Sequence, residues 1–198
     1  VEYVGMLAKR DLGGEFFRWQ VATAIAGAVL ELNPFDEPNV VESKRATAAL
    51  LEDHVQSGSI GYTPSVAPGE PRNADLVRQA HTGDYVALLP YLDRSDSRSE
   101  MLAGVRTALR DRRGVATTLG YGPRYLHSTG QLHKGGPSSG IFLVLTSDAD
   151  ELPIAGKPYG FAALVRAQAV GDVRALAARG RRVLHVHLGD DADAGRTT

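Results

Sequence analysis

Apolar residues crowd nearly every face of Glu15 to Leu32 (EFFRWQVATAIAGAVLEL), a pattern that predicts a helix buried all round. Asn33-Pro34 stops it. Asp36-Glu37-Pro38 then supplies a cap and an early proline for a second helix, from about Pro38 to His54, ending near Ser57-Gly58. Residues 58–83 hold three of the ten prolines and several glycines, with a short helical pattern near Ala74 to Ala80, and read as a linker or insertion. From Asp84 the pattern alternates. YVALLPYL, VATTLGYG, GIFLVLT and RRVLHVHLG read as strands; SEMLAGVRTALRDRRG and FAALVRAQAVGDVRALAARG read as helices. Strands separated by helices imply a parallel sheet with crossover connections. The expected organisation is a helical segment over 1–57, a linker over 58–83, an α/β domain over 84–190 and a polar tail over 191–198.

Composition narrows the picture only modestly. The 198 residues are 43% hydrophobic and 23% charged, with a net charge of −1, which is ordinary for a globular protein. A nucleic-acid or anionic-membrane partner would show as a basic excess, so neither is expected. The longest apolar stretch, Val21 to Leu30, is interrupted by Thr23 and Gly27 and is too short to span a bilayer. The absence of cysteine rules out disulfides and thiolate metal sites and agrees with a cytoplasmic location. The first residue is valine, and the chain enters at once into what reads as element interior, so a fragment of a longer protein is expected.

Three groups of side chains could carry chemistry. Lys44 falls on the same face of its helix as Val40, Val41, Ala48, Leu51 and Val55. A pocket lysine placed against a phosphate or sugar oxygen would look like this, and so would a lysine whose stem packs while its head stays in water. The segment GYGPRYLHSTGQLHKGGP follows a strand and gathers Arg124, His127, Ser128, Thr129, Gln131, His133 and Lys134. Glycines beside hydroxyl and amide groups suit phosphate or sugar hydroxyls, and a histidine there could shuttle a proton; a polar crossover loop is the plainer account. It matches neither a Walker loop nor a dinucleotide fingerprint. His185 and His187, two apart on a strand, share a face; with no third ligand at a telling spacing, a half-polar edge strand explains them better than a metal.

The run LGGEFFRWQVATAIAGAVLELNPFDEPNVVESK resembles the closing segment of glucose-6-phosphate isomerases, where a buried helix leads into an N-(P/S)-F-D-Q motif and a helix bearing a catalytic lysine. The continuation, with GYGPRYLHSTGQLHKGGPSSGIFLVLT and ELPIAGKPYGFAALVRAQAVGD, looks like the carboxy-terminal region of bifunctional transaldolase/glucose-6-phosphate isomerase fusions. The resemblance implies a sugar-isomerase (SIS)-like parallel sheet flanked by helices and preceded by a helical segment. It also implies interconversion of glucose 6-phosphate and fructose 6-phosphate through an enediol, without metal or other cofactor. That chemistry belongs to carbohydrate metabolism, in glycolysis, gluconeogenesis and, with transaldolase, the pentose phosphate pathway. Lys44 falls on the family's lysine, and His133 is the nearest match to its ring-opening histidine, with His127 as competitor. Ser128, Thr129 and Gln131 would bind hydroxyls or phosphate, Glu37 replaces the motif's glutamine, and a homodimer is a common family arrangement. The GQ…H segment follows the lysine here instead of preceding it. No match to the catalytic glutamate or the phosphate cradle is evident. A non-catalytic SIS-like module that binds a sugar phosphate or serves assembly is the competing expectation.

Overall fold

The computed structural model describes residues 8–36, 38–61 and 65–189, and the chain divides into two units, 1–37 and 38–198. In the first unit, helix α1 spans Asp11–Val29. Its chain end folds back at Gly27, where an added Cβ would come within 2.6 Å of the Pro34 ring. The all-round apolar pattern predicts burial, but within this unit Phe16, Phe17, Trp19, Ile25 and Val29 are exposed and only Gly27 of the helix is buried. The described residues of the unit contain no second element to cover α1. Among the described residues, no helix is long and apolar enough to cross a membrane. Glu37 lies outside the described residues.

The second unit contains α2 (Pro38–Ser57), α3 (Pro71–Arg78), β1 (Tyr85–Tyr91), α4 (Asp96–Arg113), β2 (Ala116–Leu119), α5 (Gly130–Gly135), β3 (Gly140–Thr146), α6 (Phe161–Ala178) and β4 (Arg182–His187). The strands form one all-parallel sheet in the order β2-β1-β3-β4. This is the expected α/β class, a parallel sheet flanked by helices. The central strands are buried on both sides, which is why they read as unbroken hydrophobic runs. Successive β1 residues serve opposite faces. Ala87, Leu89 and Tyr91 pack with Phe142 and Val144 against Ala169, Val173 and Leu176 of α6. Val86 and Leu88 pack with Ile141 and Leu143 against Leu102 of α4 and Leu76 and Val77 of α3. Pro90 falls where β2 has stopped, opposite Leu88, and its carbonyl still accepts from the Gly122 amide.

Two expected boundaries shift. Helix α2 packs on α6, through Leu50 and Leu51 against Ala167 and Val170, so it belongs with the sheet and not with α1. The expected linker is also partly built in. Val66 pairs with Val186 and covers the outer edge of β4, and α3 lies on the sheet. The tail expected over 191–198 lies outside the described residues.

Candidate functional site

A parallel sheet of this order places its switch point between β1 and β3, because the chain leaves β1 towards β2 and then crosses to the other side. Ligands of open α/β sheets sit beyond the carboxyl ends of the strands at such a point. A cleft of about 920 Å³ lies there. It is lined by Tyr91 and Asp93 after β1, by Thr146, Ser147 and Asp148 after β3, by His185 and His187 of β4, and by Phe161 and Arg166 of α6. His54 and Gly58 to Gly61 close it from the end of α2.

Thr146 organises the floor. Its hydroxyl lies 2.7 Å from His185 Nε2 and 3.0 Å from His187 Nδ1, and His187 Nε2 approaches Asp148 Oδ1 at 3.4 Å. Burial, with repulsion from His187 and Arg166, lowers His185 to about 4 and keeps it neutral. Both helix starts facing this edge are already served from within. The Glu151 carboxylate accepts the amides of Ala162 and Ala163 at 3.1 and 3.3 Å, where an anion would otherwise bind α6. Ser95 accepts the Arg98 amide and caps α4. No group of three or more His, Asp or Glu among the described residues could hold a metal ion.

Of the residues singled out from sequence, His185 and His187 line this cleft, while Lys44, His133, Ser128, Thr129 and Gln131 do not. Tyr85 opens β1, and its hydroxyl is 2.9 Å from Nδ1 of His133, so His133 sits at the amino end of the sheet. The Tyr125 ring stands between His133 and the cleft, with its centroid 5.9 Å from that of His133 and 6.2 Å from that of Tyr91, which lines the cleft. His133 is 2% exposed and packs against Tyr85, Phe142 and Tyr125, with Nε2 unpartnered among the described residues. Burial, with repulsion from Lys134, lowers it to about 4, so it is a neutral core group. Ser128 is exposed and donates to the Tyr125 carbonyl; Thr129 and Gln131 are half-buried, and Gln131 Oε1 is unpartnered among the described residues. The glycines of this loop answer to packing. A Cβ on Gly122 would strike the Tyr91 ring at 2.4 Å, and one on Gly120 would meet Tyr125 at 2.8 Å.

Lys44 is exposed, not set into a buried apolar face. Helix α2 presents Ser43, Leu50 and Leu51 inward, while Val41, Ala48 and Val55 face out with Lys44. The rotation is set by polar partners. Lys134 Nζ donates to Ser43 Oγ at 2.7 Å and forms an ion pair with Asp172 of α6. Arg179 pairs with Glu42 through both guanidinium nitrogens. The Lys134 and Asp172 side chains are 1% and 0% exposed. Burial opposes charge on both, lowering Lys134 to about 8 with added repulsion from Arg179 and raising Asp172 to about 8. Sequence reading passed over this pair because its members stand 38 positions apart, with no local pattern to join them. Thus Lys44 faces solvent, His133 faces the core, and the cleft between β1 and β3 contains neither.

No protein-family model matches the sequence, and no curated protein matches it. Among solved structures, the chain is similar to hypothetical protein TT0462 from Thermus thermophilus, with a TM-score of 0.51 and 17% identity. The match covers 78% of this chain and 40% of that protein, so this chain spans less than half of its length. The likeness concerns the fold alone.

Proposed function

We propose that the chain is the carboxy-terminal part of a glucose-6-phosphate isomerase, joined to an upstream transaldolase, and that Lys44 supplies an ammonium to a site completed by residues outside it. The observation that carries this reading is the setting of Lys44. Its side chain is exposed and makes no hydrogen bond or ion pair among the described residues, while Glu42 and Ser43 beside it are held by Arg179 and Lys134. An ammonium that is not neutralised internally, on a helix fixed in rotation, is available to a sugar oxygen or a phosphate. The resemblance of NPFDEPNVVESK to the family's lysine motif supports the same residue. His133 serves this reading as a buried support of the loop, not as a group that touches substrate.

The test is Lys44→Ala in the full-length protein. Turnover of glucose 6-phosphate should fall about a hundredfold or more, with stability within about 0.5 kcal/mol of the parent because the side chain is exposed. Wild-type turnover in that variant overturns the assignment. The cleft at the carboxyl edge favours a second reading, in which the unit 38–198 is a non-catalytic small-molecule-binding module; Lys44→Ala would then leave binding in the cleft unchanged.

A further inference from the structure

Thr146 is hydrogen-bonded to both His185 and His187 in the cleft, and Asp148 lies 3.4 Å from His187 Nε2, close enough for its carboxylate to bias which nitrogen carries the proton. The Asp148 carboxylate can only accept, so it selects the His187 tautomer with its proton on Nε2. In that tautomer His187 offers Nδ1 as an acceptor. Thr146 must donate to it, and the Thr146 oxygen accepts the Nε2 proton of His185. The line begins at a buried, unpartnered atom, Nδ1 of His185, whose residue is 8% exposed. It ends in the open, where the His187 and Asp148 side chains are 30% and 48% exposed.

That open end presents one donor and one acceptor, His187 Nε2–H and Asp148 Oδ1, 3.4 Å apart. A hydroxyl both donates and accepts, and it matches this pair. A phosphate does not. Asp93, Asp148, Asp150 and Glu151 line the cleft against a single guanidinium, that of Arg166, and Glu151 already fills the start of α6. Phe161, 48% exposed on the cleft wall, offers a ring face suited to the C–H side of a sugar. We infer that this cleft binds an uncharged polyhydroxylated ligand, a sugar or polyol, through a hydroxyl held between Asp148 and His187, with Thr146 and His185 as positioning residues. The inference rests on the cleft as a ligand site and is independent of Lys44.

The experiment is nitrogen NMR of the histidine rings in the full 198-residue chain. Without ligand at neutral pH, His187 and His185 should both carry the proton on Nε2, and Thr146→Val should release both from that tautomer, while Thr146→Ser keeps it. D-glucose, D-fructose and sorbitol should shift the His187 ring saturably, and inorganic phosphate at matched ionic strength should not. Asp148→Asn should weaken that binding about tenfold, and Thr146→Val about threefold. Asp148 is exposed enough for its variant to fold, and Thr146→Ser controls for any loss of structure in the valine variant. A Nδ1–H tautomer at His187 overturns the line. Shifts with phosphate but not with sugars overturn the ligand class, and no shift with any probe overturns the site. Sugar binding unchanged in both Asp148→Asn and Thr146→Val removes the line from recognition.

Discussion

His133 shows how a residue with every outward mark of a catalytic histidine becomes a core residue. It stands in a glycine-rich, hydroxyl-rich loop, yet its ring is enclosed by three aromatic residues and its pKa is lowered to about 4 by burial. The folded form disfavours the imidazolium relative to the unfolded chain at 6.5, so the stability tied to neutral His133 is intact above 6.5 and is lost as pH falls through 4. His185, also lowered to about 4, acts in the same window and with the same sign. His133→Phe should therefore remove about half of the pH dependence of the urea midpoint between 6.5 and 4, while His133→Ala should cost about 3 kcal/mol by leaving a cavity. Thermal or urea unfolding across that range checks both. Lys44 is the converse: a residue expected against an apolar face that instead faces solvent.

At the scale of elements, the contact of α2 with α5 and α6 decides what Lys44 can do. Hydrophobicity alone pointed to Val40, Val41, Ala48, Leu51 and Val55 as the packed face, yet Leu51 is buried while Val41, Ala48 and Val55 are exposed. A serine and a glutamate override that stripe because each meets a cation on the neighbouring elements, Ser43 with Lys134 and Glu42 with Arg179. Removing the lysine leaves Asp172 buried without its partner, so Lys134→Met should lose about 3 to 5 kcal/mol once the pH is high enough to ionise the carboxyl, at about 8 and above. The sign of its pH dependence follows from Asp172. A folded-state value raised to about 8 against 3.8 unfolded means that the variant is most stable below 3.8 and weakens as pH rises towards 8. Lys134→Met/Asp172→Leu should recover most of the loss and flatten that slope. Urea titrations of both variants at several pH values test the pair. A Lys134→Met variant whose stability rose with pH would contradict it.

For the whole molecule, the sheet separates two chemistries. The carboxyl edge carries the cleft with Asp148, His187 and Thr146; the amino edge carries His133, with Lys134 reaching back to Ser43 beside Lys44. The amino edge is stapled by Arg182, which opens β4 and grips Asp84, just before β1, through both nitrogens at 2.8 Å. That guanidinium, aided by the His81 amide, holds the Asp84 carboxyl at about 2. The stability it lends is full above 3.8 and fades as pH falls through 2. Asp84→Asn should lower stability by about 1 kcal/mol at neutral pH, since the pair is partly exposed, and by almost nothing below pH 2; acid unfolding of the two proteins should converge there.

The sequence by itself determined the α/β class, the four strands and the principal helices, because strands buried on both faces and helices closed by proline and glycine are local patterns. YVALLPY and GIFLVLT needed no partner to be recognised as inner strands. It also marked the lysine motif and the shared face of His185 and His187. It could not decide which face of α2 is buried, since that depends on Lys134, Asp172 and Arg179 arriving from distant positions. Nor could it turn His133 of the glycine-rich loop inward against Tyr85 or bring Thr146 and Asp148 to the two histidines of β4. Those placements follow from strand order, and strand order is a property of the assembled sheet.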